Sequence, residues 1–517
     1  MVFGKSIAFG AAELPWRDDS PHSVFVGAPR TGKTILLRML MQSMMFDEYG
    51  QLASRVVIHD PKREFYPLLV GMGVHPSMIR VLHPLDVRSS PWHVAYDFTR
   101  PERITALANA LIPGEFVGDN AVFGKGAREL VKAVVTLLHE RCGCAWMLND
   151  VYNICSSGQL IAHVLNQSPA VAQQFASYFT SAKQRDAFII NVQAFMGVFA
   201  TVAAANARQL EGYNRTPSAG EPISLSHWFN EEKTGVLLLT SDPMSSAAML
   251  PFNHAAFGVL ADLALHQDEG ENAHTQFYID EARTQYPLPS LERLITQGAS
   301  KSIRVATVVH TLEGLREVYR GGADEILGAS TNVAMTATNS PVTKRWFLDI
   351  VAASQGREAS EQRGQIDRRF QHLGAPDESK GVVRGFFKVP NRPVWPGQTD
   401  RKYQGKHLSS PDKRRHNTGM LRDDDYGLTQ SKSMQPADWA RLNIPAPPQG
   451  SNNLLGQGAG WDALPAQQQQ QLPPVINVHI PPSALPPAQP APAPPPRELT
   501  EAEQFELRRK NRRGGFL

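Results

Sequence analysis

Short unbroken apolar runs and stretches of three- and four-residue apolar spacing divide the chain into blocks. Val24-Phe25-Val26 predicts a buried strand opening into Gly27-Ala28-Pro29-Arg30-Thr31-Gly32-Lys33-Thr34, and Ile35–Met41 follows as a run of helix formers. Arg55–Asp60 and Ile79–Leu82 predict two more strands, the first ending on an acid. From about Pro101 to His227 the spacing changes to that of helices, as in Leu130-Val131-Val134-Val135-Leu138. Strand-like runs return at Gly235–Thr240, Phe277–Glu281, Val305–Val309 and Asn332–Thr336, with helices such as Ser290–Thr296 and Leu312–Val318 between them. Runs that are continuous rather than alternating suit a parallel sheet covered on both faces.

Composition sharpens these blocks. The 517 residues hold 52 Lys+Arg, 49 Asp+Glu and 39 Pro, too many residues for one core. Residues 396–517 contain 18 of the prolines and a net charge of +4, which leaves −1 on residues 1–395. A Gln run at Gln467–Gln471 and a Pro/Ala run to Pro496 predict an extended, disordered tail. Thr500-Glu501-Ala502-Glu503 has capping-box spacing and predicts a short helix over Glu501–Arg512. The net charge of +3 excludes a polycationic coat protein. Cys142, Cys144 and Cys155 make neither a disulfide framework nor a zinc site. No signal peptide is seen, and the best apolar stretch, near Ala255–Leu265, is too short for a bilayer. A cytoplasmic protein is expected.

The loop Gly27-x4-Gly32-Lys33-Thr34 matches the phosphate-binding pattern in full and lies between a strand and a helix, the context that gives it meaning. Its backbone N–H groups wrap a phosphate and the helix amino end adds positive potential. Lys33 would reach the β- and γ-phosphates of ATP, and Thr34 would ligate Mg²⁺. Asp280 and Glu281, after an apolar run, supply the second half: Asp280 for the Mg²⁺ shell, Glu281 to polarise the attacking water. Asp60 would either lie near the nucleotide or cap the next turn.

These residues resemble the type IV secretion coupling proteins, the TraD/TraG-like conjugative DNA pumps within the HerA/FtsK group of ring ATPases. The resemblance runs from about Phe25 to Gly356. It includes His59-Asp60-Pro61-Lys62-Arg63-Glu64-Phe65, Leu82-His83-Pro84-Leu85-Asp86, Ser90-Pro91-Trp92-His93-Val94, and Phe277–Leu291 with Gln297-Gly298 and Tyr319-Arg320-Gly321. It implies an α/β, RecA-like P-loop domain with a mostly parallel sheet. That domain would be split into residues 1–96 and 231–395 around an all-helical insert at 97–230, with the tail at 396–517.

The implied activity is ATP hydrolysis by a homo-oligomer, a hexameric ring, that moves DNA or a relaxase–DNA conjugate to a secretion channel. Relaxosome and secretion components are the implied partners. Three departures matter. The loop at Gly27 leaves no room for the family's N-terminal membrane anchor, so a separate tether or work in solution is expected. Gly298 is followed by Ala299-Ser300-Lys301 rather than by the arginine that reaches a neighbouring subunit. The strand Val305–Val309 ends in His310 where the family has a glutamine that senses the γ-phosphate.

Two alternatives stay open: a nucleotide-binding adaptor with weak turnover that recruits substrates, and a translocase for genome packaging or chromosome processing. Lys413-Arg414-Arg415 and Arg508–Arg513 are the clearest basic clusters, fitting solvated tail charge, DNA contact or a docking peptide.

Overall fold

The computed structural model describes residues 6–9, 12–15, 22–114, 120–175, 181–212, 220–241, 245–268, 274–283, 286–354, 359–370, 373, 382–390, 394–398 and 432–448. Strands β1 (Ser6–Phe9) and β2 (Ala12–Pro15) pair as a small antiparallel hairpin. The main sheet contains β3 (His22–Val26), β4 (Arg55–Asp60), β5 (Ile79–Leu82), β6 (Gly235–Thr240), β7 (Thr275–Ile279), β8 (Ile303–Val309), β9 (Asn332–Met335), β10 (Arg384–Lys388) and β11 (Trp395–Gln398). Its order is β11-β10-β9-β3-β8-β7-β4-β6-β5. Every pairing from β9 to β5 is parallel, and β10 is antiparallel to both β9 and β11.

Register explains why a site forms. Val26 pairs with Val309 and Met335, and Ile279 pairs with His59 and Thr307. The central strands therefore end together, and the residues that follow them (Gly27, Asp280, His310, Thr336) gather along one sheet edge. Open parallel sheets bind ligands at this carboxyl edge. Every residue of β3, β4, β6 and β7 is buried, so both faces are covered, as the unbroken runs predict.

Alternate residues go to opposite faces. Phe25, Val56, Ile58, Leu238 and Tyr278 meet helices α1 (Lys33–Met44) and α2 (Phe65–Met72). Val24, Val26, Val57, Leu237 and Phe277 face the opposite way, into a much larger core.

That larger core includes the helical insert: α3 (Pro101–Leu111), α4 (Asn120–Cys142), α5 (Leu148–Cys155), α6 (Gly158–Leu165), α7 (Pro169–Phe175), α8 (Ala182–Leu210) and α9 (Leu225–Glu231). Leu130, Val131, Val134, Val135 and Leu138, the residues that mark the helical period, are all fully buried on α4. Helices α10 (Ser246–Leu265), α11 (Leu291–Gln297), α12 (Leu312–Tyr319), α13 (Gly322–Ala329), α14 (Pro341–Ser354) and α15 (Ala359–Phe370) complete this side. Leu107 and Val202 of the insert share one uninterrupted apolar cluster with Phe257 of α10 and Phe277 of β7.

Buried Asp97 ties the two ends of the insert together. Its carboxylate accepts from Trp92 Nε1 at 2.6 Å, from the Leu225 and Ser226 N–H groups at 2.8 Å each, and from Ser224 Oγ at 3.0 Å. Four donors on one buried carboxylate satisfy the charge that burial would otherwise penalise.

Two features differ from the sequence reading. Helix α10 extends back from Ala255 through Pro251 to Ser246. Lys183–Leu210 and Ser246–Leu265 are then both long and apolar enough, by length and composition, to cross a membrane. The apolar window of α10 is 72% buried and that of α8 is 44% buried. Second, residues 432–448 are folded rather than extended. Helix α16 (Pro436–Arg441) leads into Leu442 and Ile444, and these two join Trp439 in the main core. Arg441 forms a two-pronged pair with buried Asp150 of α5, both contacts at 2.9 Å. Asn153 Nδ2 donates to Lys432 O at 3.1 Å, and the Trp439 ring stands edge-on to His163. The Gln and Pro/Ala runs and Glu501–Arg512 lie outside the described residues. Cys155 is buried and its thiol is pushed up to about 12, as an inert core residue would be.

Candidate nucleotide site

The loop after β3 is held on both sides. Gly27 N–H donates to Val309 O of β8 at 3.2 Å, and Ala28 N–H donates to Ala337 O beyond β9 at 2.7 Å. Gly27 has φ +154°, and a Cβ there would lie 2.0 Å from Thr336 Oγ1, so only glycine fits. Arg30 and Gly32 have φ of 61° and 94°, which turns the chain tightly into α1. Thr31 Oγ1 donates to Ala28 O at 2.7 Å and lies 2.6 Å from Thr336 Oγ1. Pro29 and Arg30 are exposed at the tip.

Helix α1 begins at Lys33 with no side-chain cap and no acid in its first turn. Its amino end thus offers open N–H donors and positive potential. Lys33 is buried, and its ammonium donates to Ala28 O at 2.7 Å. Burial chiefly, with repulsion from Lys62, lowers its pKa to about 8 against the pull of Glu281 and Asp280.

Asp280 and Glu281 follow β7. Thr34 Oγ1 donates to Asp280 Oδ1 at 3.0 Å, and the other oxygen, Oδ2, is buried with no hydrogen-bond partner. Burial raises the Asp280 carboxyl above its ordinary range, and Lys62 and Thr34 only partly offset this. Glu281 stands differently. Burial alone would raise it, but the hydrogen bond from His310, the His310 charge and Lys62 together hold it below the usual carboxylate range. His310 Nε2 lies 3.1 Å from Glu281 Oε1, and Lys62 Nζ lies 3.6 Å from Glu281 Oε2. Burial opposes the charge on Lys62, but Asp280, Glu281 and Glu64 outweigh it and raise its pKa.

The donors suit magnesium. A hydroxyl and a carboxylate, both hard oxygens, converge at the start of α1, and Asp280 Oδ2, buried without a hydrogen bond, is free to take a cation. Among the described residues no group of three or more His, Cys, Asp or Glu could hold a metal alone.

The structure brings Lys33, Thr34, Asp280, Glu281 and His310 together, as the sequence reading expects. It also resolves Asp60: the carboxylate accepts the N–H groups of Lys62 at 3.3 Å, Glu64 at 3.1 Å and Phe65 at 2.9 Å. Asp60 is therefore the cap of the turn into α2, and burial pushes its pKa up to about 6. Two residues that the sequence reading did not assign belong to the site. Lys62 reaches the acids because β4 neighbours β7. Thr336 backs the loop because β9 neighbours β3. Thr336 was marked in the sequence only by its position at the end of a strand run, and Lys62 by its place in the family-like segment His59–Phe65, which assigns it no role. Ala299–Lys301 forms a one-turn 3₁₀ helix before β8, at the opposite end of that strand from His310. Lys413-Arg414-Arg415 and Arg508–Arg513 lie outside the described residues.

The family model of the type IV secretion-system coupling protein DNA-binding domain matches residues 6–369. Coupling protein TraD of Escherichia coli (strain K12) is 24% identical over 300 residues, 57% of this chain and 38% of TraD. The match thus spans well under half of that relative. Bacterial conjugative coupling protein TrwBΔN70, in an unbound monoclinic form, aligns with a TM-score of 0.58 at 16% identity, over 78% of this chain and 90% of that one. Plasmid coupling protein TrwB in complex with ADP and Mg²⁺ aligns with a TM-score of 0.57 at 17% identity, over 77% and 89%. These structural likenesses are likenesses of fold.

Proposed function

Because the chain belongs to the family of the type IV secretion-system coupling protein DNA-binding domain, we propose that it is a magnesium-dependent ATPase that drives DNA towards a secretion channel during conjugation. The observation that carries this reading is the gathering of Lys33, Thr34, Asp280, Glu281 and His310 at one sheet edge. The TrwB complex with ADP and Mg²⁺ on the same fold supports it.

In this reading the backbone of Gly27–Thr34 and the Lys33 ammonium bind the phosphates. Lys33 must leave Ala28 O to do so. Thr34 and Asp280 would hold Mg²⁺, which supplies charge neutralisation on the phosphate oxygens. Glu281, kept ionised by its neighbours, orients the attacking water and accepts its proton. His310 holds the Glu281 carboxylate by Oε1, and Lys62 stands at Oε2.

DNA, alone or linked to a relaxase, is the proposed cargo. The assembly is a hexameric ring on the cytoplasmic side, held at the inner membrane through secretion and relaxosome partners. In a ring, Lys301 or Arg304 of one subunit would serve the nucleotide of the next. The test is ATP turnover with and without single- and double-stranded DNA, in wild type and Lys33→Ala. Wild-type turnover that does not exceed that of Lys33→Ala, or that ignores DNA, sinks the motor.

The turn Ala299-Ser300-Lys301, which carries no arginine, favours one second reading: an adaptor that binds nucleotide and barely hydrolyses it. Tight ATP binding with turnover unchanged by Glu281→Gln would select that reading.

A further inference from the structure

Lys62 belongs to neither the phosphate loop nor the acid pair, yet its ammonium stands between the two acids. It lies 3.7 Å from Asp280 Oδ2 and 3.6 Å from Glu281 Oε2. Asp280 Oδ2 is the buried oxygen left without a hydrogen bond, so the lysine is what compensates its charge. The position is built. Asp60 pins the turn by accepting three backbone N–H groups, including that of Lys62 itself. The Lys62 side chain is 43% exposed, so its flexible stem has solvent to swing into. With Lys33 folded back on Ala28 O, the site holds two ammonium groups against two carboxylates.

We propose that Lys62 is the resident counter-cation of the Asp280–Glu281 acid pair. Its ammonium occupies the ground between Asp280 and Glu281 that a divalent cation needs. A compact single charge there lowers the attraction of the acid pair for free metal and must be displaced before metal can settle. The site then takes its metal only together with nucleotide, whose phosphates supply further ligands and draw the ammonium away. Lys62 is in this sense a positioning residue: it holds both carboxylates apart from free ions and aligned for the loaded state. The inference rests on the nucleotide-site reading but on neither turnover nor DNA.

The test is Mn²⁺ binding to the full chain without nucleotide, followed by the electron paramagnetic resonance signal of free Mn²⁺. Wild type, Lys62→Met, Lys62→Gln, Lys62→Arg and the double variant Lys62→Met/Asp280→Asn are compared, with ADP binding as the check on folding. Lys62→Met and Lys62→Gln should bind Mn²⁺ at least tenfold more tightly than wild type. Lys62→Arg should match wild type, and Asp280→Asn should cancel the gain. Equal Mn²⁺ affinity in wild type and both neutral variants overturns the proposal. So does a gain that survives Asp280→Asn. A wild type that binds no ADP fails the nucleotide-site reading instead, and a chain that shows the Mn²⁺ effect without DNA-responsive turnover fails only the motor.

Discussion

Thr34 Oγ1 donates a 3.0 Å hydrogen bond to Asp280 Oδ1, joining the first turn of α1 to the end of β7 across 246 positions of sequence. The bond sets a hydroxyl and a carboxylate where one Mg²⁺ can take both. Thr34→Val keeps the shape and removes the ligand. Nucleotide affinity in Mg²⁺ should fall at least about tenfold, as for lost metal-site contacts, and should approach the affinity measured with EDTA. Titration calorimetry in the two conditions checks this. An undiminished difference between them would put the metal elsewhere.

Glu281→Gln preserves the oxygen that meets His310 and removes the base. Turnover should drop about 100- to 10,000-fold, the range for a positioned general base. ADP affinity should stay within about threefold, because ground-state phosphate contacts do not pass through this carboxylate. Steady-state kinetics paired with equilibrium binding separates the two effects.

Acid should weaken the fold through buried histidines. Burial lowers His22 to about 4 and His254 to about 3, from the ordinary histidine value of 6.5. The folded chain thus binds fewer protons than the unfolded chain below pH 6.5. The stability held by keeping these rings neutral is complete above pH 6.5 and is lost as pH falls towards the folded values. Between pH 8 and pH 5 each ring should cost about 2 kcal/mol. His254→Gln should remove about that much of the pH dependence in chemical denaturation, and an unchanged slope would refute it.

The segment 432–448 should behave as a clasp on the helical insert. Arg441→Ala leaves Asp150 buried without its partner, which costs about 3 kcal/mol. Protease sites within 432–448 should open while those in the sheet stay closed. The paired change Asp150→Asn/Arg441→Met should be milder than Arg441→Ala, since neither charge is then stranded. Limited proteolysis with thermal melts of the three proteins decides.

Much of the site was legible because its chemistry is local. Gly27, Gly32, Lys33 and Thr34 work through the conformation of one loop, and a loop of that spacing declares itself. Asp280 and His310 were legible because each follows an unbroken apolar run, and parallel strands end together. Lys62 and Thr336 were hidden because their roles come from strand order: β4 beside β7 and β9 beside β3. Nothing in a linear pattern fixes that order. Residues 432–448 were hidden for a similar reason. Trp439, Leu442 and Ile444 are three apolar anchors amid proline and polar residues, and their weight comes from the surface of α5 and α6 that they meet.

The uninterrupted apolar cluster from β7 through α10 into α3 and α8 has a thermodynamic consequence. Parts that share one core cannot melt separately without exposing each other. Calorimetry of the described body should therefore record a single cooperative transition, with van't Hoff and calorimetric enthalpies in agreement. The insert is a separate paragraph of the sequence, but in energy it is the same sentence as the sheet.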